Sequence, residues 1–98
     1  MNLTSKQRAG LRSLANTLDT TLQIGKEGLT DNVLKTIEAY LAANELMKMR
    51  VLETASSSAS EMCALVCEKV NAIPVQVIGT RIVVFRRSSK PENRRIQL

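Results

Sequence analysis

Apolar residues recur along this chain at two different intervals, and the switches between them divide it into elements. Leu11, Leu14, Ala15 and Leu18 follow at helical spacing behind Thr4 and Gln7, whose three-residue separation is that of a capping box. The pattern predicts a helix running to about Leu18 with those four residues as its buried stripe. Gly10 in its middle costs roughly 1 kcal/mol against alanine. Thr20 to Ile24 alternates instead, with Leu22 and Ile24 on one side and Thr21 and Gln23 on the other, which is the period of a half-buried strand. Thr30-Asp31-Asn32 then opens a second helix carrying Val33, Leu34, Ile37, Tyr40 and Leu41 along one side. Leu46 to Leu52 alternates again, Met47, Met49 and Val51 facing away from Lys48 and Arg50.

Strand, helix and strand in succession make a βαβ unit, so these two strands are expected to be parallel and joined by a right-handed crossover. Glu53 to Ala59, with three consecutive serines, reads as a loop. Ser58 and Glu61 form a second capping box, and Met62, Leu65, Val66, Lys69 and Val70 extend a third helix to about Asn71. Pro74 to Ile78 and Arg81 to Phe85 are β-branched runs separated by Gly79-Thr80, the signature of a hairpin whose first turn residue needs positive φ. Proline is tolerated at the start of such a strand and not at its centre. From Arg86 to Leu98 the periodicity is lost, and the segment reads as a mobile tail or a lightly docked extension. The expected order is α-β-α-β-α-β-β: an α/β chain of the two-layer α+β kind, with a four-stranded mixed sheet. Residues 1–87 are expected to form one domain and residues 88–98 a basic tail.

Charge sharpens this picture. Lysine and arginine number 14 against nine acidic residues, and the excess is local. Arg81, Arg86, Arg87, Lys90, Arg94 and Arg95 against Glu92 give the last 18 residues the whole net charge of +5, while the first 80 sum to zero. Such asymmetry suits an anionic partner, with a solubilising tail as the plainer alternative. Cys63 and Cys67, one helical turn apart, read as core thiols in a reducing compartment. With no histidine and no convergent carboxylate pair, neither a metal site, a cofactor nor an enzymatic centre is expected. No apolar run approaches the ~20 residues of a membrane span, so a cytoplasmic monomer is expected.

The stretch Ile24-Gly25-Lys26-Glu27-Gly28-Leu29-Thr30 is where chemistry and organisation meet. Glycines between a strand and a helix tolerate positive φ and let another backbone come close. The unpaired N–H groups of the helix that follows make an anion site, to which Lys26 adds a charge. A simple chain reversal with Lys26 and Glu27 solvated is the alternative. The Walker A and dinucleotide patterns are absent, since the first needs a Gly-Lys-Ser/Thr end and the second a third glycine. KH domains clamp nucleotides with a GxxG loop, but between two helices and with an apolar residue where Asp31 stands here.

Four segments, Leu3-Thr4-Ser5-Lys6-Gln7-Arg8, Gln23 to Thr30, Asn44 to Val51 and Val75 to Gly79, resemble the CRM-domain family in its stand-alone bacterial YhbY-like form. The resemblance covers residues 2 to about 87. It implies a fold similar to the C-terminal domain of bacterial translation initiation factor three. It also implies association with RNA of the precursor large ribosomal subunit through the GxxG loop. The expected RNA-binding residues are Gly25, Lys26, Glu27, Gly28 and Thr30 of the loop, together with Lys6, Arg8, Arg12, Lys48, Arg50, Arg86 and Arg87. A rival class is a module docking on a ribosomal protein or assembly factor through the apolar hairpin and Tyr40. Two departures stand out: Glu27 where the family often has asparagine, and Asn16 to Thr20 where it often has histidine and proline. With only Tyr40 and Phe85 aromatic, base-stacking platforms are missing and sequence discrimination is expected to be modest.

Overall fold

The computed structural model describes residues 2–94 and 96 of the chain. Thr4 caps α1 (Ser5–Ala15) through a closed box: its Oγ1 accepts from the Gln7 N–H, and the Gln7 side chain accepts from the Thr4 N–H. The helix ends three residues before the periodicity does. Short-range bonds from Thr17 N to Leu14 O and from Leu18 N to Ala15 O tighten the last turn, and the Thr17 hydroxyl also donates to the Leu14 carbonyl. The buried stripe is correspondingly narrower than expected. Leu11 and Ala15 are buried, but Leu14 is 48% exposed.

The remaining elements are β1 (Leu22–Ile24), α2 (Asp31–Asn44), β2 (Leu46–Val51), α3 (Ala59–Val70), β3 (Ile73–Ile78), β4 (Arg81–Phe85) and a 3-10 turn at Pro91–Asn93. The four strands form one mixed sheet in the order β1-β2-β4-β3. β1 and β2 are parallel, as their crossover helix requires, and β4 is antiparallel to both β2 and β3. Gly79 opens the β3–β4 turn at φ 58°. Pro74 sits on the outermost strand, where a missing N–H is tolerated, and the register slips between Pro74 and Gln76.

Two cores lie on opposite faces of the sheet. On one face α2 and α3 bury Ile37, Leu41, Met62, Cys63, Val66 and Val70 against Ile24, Met47, Met49, Val51, Ile82 and Val84. On the other face α1 covers Leu46, Val75, Val83 and Phe85 with Leu11 and Ala15. Leu46, at the even phase of its strand with Lys48 and Arg50, is buried because α1 reaches that end and not the other. Cys67, hydrogen-bonded to Cys63 and buried, has its thiol pushed above the ordinary range, so it stays protonated. Among the described residues no helix is long and apolar enough to cross a membrane.

The segment after β4 docks on the sheet end of α2. Ser88 is buried; its N–H donates to Glu45 Oε2 at 2.7 Å and its hydroxyl to the Ala42 carbonyl at 2.8 Å. Asn93 adds a bond to the same carbonyl. Arg95 of the basic tail lies outside the described residues.

The second capping box carries a pH signature. Glu61 accepts from the Ser58 N–H, and this bond holds its carboxyl below the ordinary 4.5. A depressed folded-state value means the contribution is present above pH 4.5 and lost as pH falls through the folded value. Glu61→Gln keeps the hydrogen bond without the charge. Thermal melts at falling pH should therefore show wild type losing an acid-sensitive increment that the variant lacks.

Candidate nucleic-acid interface

The two glycines of the loop serve different needs. Gly25 N–H and C=O flank a tight turn in which the Gly28 N–H donates to the Gly25 carbonyl at 3.0 Å, leaving Lys26 and Glu27 exposed at the tip. A Cβ at Gly25 would stand 3.2 Å from Thr54 Oγ1 and 3.3 Å from Leu52 Cδ1, so this glycine is there for close approach. Gly28 has open space around it but φ of 66°, so this one is there for conformation. Thr30, expected as a ligand, is spent on the N-cap: its Oγ1 accepts from the Val33 N–H at 3.2 Å. Asp31 follows in the first turn, where its carboxylate occupies the positive end of the helix dipole.

The loop belongs to one end of the sheet. The Leu52 N–H donates to the Ile24 carbonyl at 2.8 Å, and the Val51 N–H donates to the Thr80 carbonyl at 2.7 Å. The GxxG loop, the segment leaving β2 and the Gly79-Thr80 turn are thereby gathered together. Immediately inside that end, register places Gln23 beside Arg50 and Arg50 opposite Arg81, with Ile78 next in the row. The row behind it holds Lys48 opposite Val83, and Val83 opposite Gln76. This is the half of the face that α1 leaves open.

Like charges directly opposite on an antiparallel pair cost a few tenths of a kcal/mol up to about 1. Arg50 and Arg81 are both exposed, and among the described residues neither has an ion-pair partner. Arg81 was counted in the basic C-terminal stretch but was not among the expected RNA-binding residues. Its alternation with Val83 and Phe85 assigns it a face, but only the pairing with β2 brings it to Arg50.

The helix above continues the charge. Arg8, Arg12 and Asn16 recur every four residues, which puts them along one ridge of α1 and leads from its first turns down to the open half of the sheet. Arg12 is exposed; Arg8 is half-buried, and its Nε is shielded from water without an acceptor among the described residues. Lys6 is off this ridge and lines a groove with Gly10, Leu14 and Ile96 instead. α1 and the four strands together carry Lys6, Arg8, Arg12, Lys48, Arg50 and Arg81 with no carboxylate, whereas α2 and α3 carry Asp31, Glu38, Glu61 and Glu68 against Lys35 and Lys69. Residues 1–80 sum to zero as a string, yet their cations and carboxylates, with Arg81 added, fall on different elements of the fold.

Arg86 and Arg87, expected among the RNA-binding residues, make contacts within the chain. Arg86 Nη1 reaches Glu38 Oε2 at 2.6 Å and the Val70 carbonyl at 2.9 Å, on the α2–α3 side of the sheet. Arg87 donates to the Ile96 carbonyl at 2.7 Å and lies 3.7 Å from Glu45 Oε1. Both guanidinium groups are committed within the chain, fastening the end of β4 and the segment beyond it.

The model of the CRS1 / YhbY (CRM) domain matches residues 3–86. The Bacillus subtilis protein named "Probable RNA-binding protein YqeI" is 36% identical over 96 residues, covering 98% of each chain. A Haemophilus influenzae protein named "RNA-binding protein" is 33% identical over 96 residues, covering 98% of this chain and 94% of its own. The solution structure of the hypothetical protein SAV1595 from Staphylococcus aureus superposes with a TM-score of 0.78 at 36% identity, covering 98% of this chain and all of its own.

Proposed function

The chain belongs to the CRS1 / YhbY (CRM) domain family, and from that premise we propose that it is a non-catalytic RNA-binding protein acting on precursors of the large ribosomal subunit. The observation that carries the reading is the pair Arg50 and Arg81, without an ion-pair partner among the described residues and set among strands and a helix that carry no carboxylate. Holding two guanidinium groups side by side is unfavourable in the free protein, and a phosphate between them removes the repulsion while releasing counterions. Arg8, Arg12 and Lys48 extend the same positive surface. Lys26 at the exposed loop tip adds a phosphate contact at its edge. The relatives named as RNA-binding proteins support RNA as the anion.

The test is association with pre-ribosomal particles in cell extract. Wild type should co-sediment with large-subunit precursors and be released by nuclease. Gly25→Asp and Gly28→Asp, which insert a carboxylate into the loop, should remain folded by circular dichroism and shift at least tenfold toward the free fraction, on the order of one lost charged contact plus new repulsion. An association that survives nuclease would replace this reading with docking on a protein. Unchanged sedimentation of both variants would remove the loop from the interface.

A further inference from the structure

Between the C-terminus of α1 and the open half of the sheet lies a recess of about 150 Å³ lined by Asn16, Lys48, Gln76, Ile78, Arg81 and Val83. Its volume is several times the ~30 Å³ of one water and half the ~300 Å³ at which sites for drug-sized ligands begin. The size suits one small ring system. Its floor is apolar, Val83 being 3% exposed, and one wall is Ile78, a large apolar side chain left 59% exposed on an outer strand. Two carboxamides stand at the rim. Among the described residues, neither the Asn16 nor the Gln76 side chain makes a hydrogen bond within the protein, so each offers a donor and an acceptor. Lys48 and Arg81 complete the lining, with Arg50 directly opposite Arg81.

We infer that this recess receives a single unpaired nucleobase of the bound RNA. The ring packs on Val83 and Ile78, its polar edge pairs with the Asn16 and Gln76 carboxamides, and its flanking phosphates lie on Lys48, Arg81 and Arg50. The arrangement separates two tasks that nucleic-acid interfaces divide in the same way: cations on the phosphates supply affinity, and carboxamides on a base edge supply discrimination. It places a point of base readout in a protein whose lack of aromatic platforms predicts only modest discrimination. A duplex cannot satisfy the recess, since its base edges are paired and stacked, so the preferred element is a loop or bulge.

This inference rests on the RNA reading above and is testable apart from it. The probes are a short single-stranded RNA, the same RNA with one abasic ribose placed in turn at each position, and a duplex of equal length, titrated against the full chain. Wild type should lose about tenfold in affinity at one abasic position, the low end of a base-edge contact, and should bind the duplex more weakly than the single strand. Gln76→Ala and Asn16→Ala should bind the intact strand as weakly as wild type binds the abasic one and show no further abasic penalty. Because both residues are uncharged, the salt dependence should stay that of wild type. RNA binding with a normal salt slope but equal affinity for intact and abasic strands overturns the base site and leaves the RNA reading standing. Absence of any salt-dependent RNA binding overturns both.

Discussion

Arg50→Glu is expected to make the protein more stable and a poorer RNA binder. The substitution replaces two arginines facing each other across β2 and β4 with an opposite-charge pair. The change exchanges a repulsive cross-strand term for an attractive one, a gain of about 0.5–1 kcal/mol. In a domain of this size that raises the melting midpoint by roughly 2–8 °C. RNA affinity should fall by an order of magnitude or more. The slope of log affinity against log salt should become shallower by about one for the phosphate contact removed. Opposite signs for stability and binding separate a functional role from a structural one. A variant that melts lower, or that binds RNA as wild type does, contradicts the assignment. Arg86→Ala is the natural contrast, because its guanidinium ties Glu38 to the Val70 carbonyl and its loss should lower the midpoint.

The largest effect on stability should come from Glu45, a residue without a part in the proposed interface. It closes α2 with φ 69° and ψ −35°, a conformation uncommon for any residue but glycine, and is fully buried. Hydrogen bonds hold it there. Its N–H donates to the Leu41 carbonyl and its carbonyl accepts from the Arg86 N–H, both at 2.9 Å, while its carboxylate accepts from the Ser88 N–H at 2.7 Å. Truncation to alanine keeps the backbone strain and leaves a buried donor unsatisfied, at a cost of about 2–3 kcal/mol. Glu45→Gly loses the same carboxylate but relieves the positive φ, worth roughly 1 kcal/mol. Urea unfolding should therefore rank wild type above glycine and glycine above alanine. Alanine equal to or above glycine would show that the backbone conformation carries no strain.

How much of this was legible beforehand differs from element to element. Both capping boxes and the N-cap at Thr30 were readable because they are local: a side chain and an N–H three residues apart need no tertiary partner. The parallel pairing of β1 and β2 was readable because a helix between them returns the chain to the same end of the sheet. The burial of Met47, Met49 and Val51 followed from alternation alone. Leu14 and Leu46 were not readable in the same way. Periodicity assigns a residue to a side of its own element, but how far the neighbouring layer extends over that side decides whether it is buried. α1 is short and crosses only one end of the sheet, so Leu46 lies under it while Lys48 and Arg50 emerge beyond it.

The candidate site divides along the same line. The GxxG turn, its lysine and the basic excess could be read directly from the chain. The different uses of the two glycines could not, since one depends on where Thr54 and Leu52 return and the other on a backbone angle. Charge was a mixed linear signal. It pointed to the C-terminal stretch, where Arg81 does meet Arg50, yet Arg86 and Arg87 turn inward to carbonyls and carboxylates supplied by α2, α3 and the segment after β4.

By itself, then, the amino-acid order determined what is set by near neighbours: caps, turns, element periods, the direction of the βαβ pair and the glycine turn between β1 and α2. Only the tertiary structure decided which cations remain free and which of them meet. Arg50 and Arg81 stand 31 positions apart in the chain and become neighbours through the antiparallel register of β2 and β4. A string of 80 residues with no net charge, joined by Arg81, presents a basic face because the sheet separates α1 from the acidic helices α2 and α3. Cross-strand pairing and layer order are long-range properties, and electrostatic recognition depends on distances in space that the spacing along a chain does not fix.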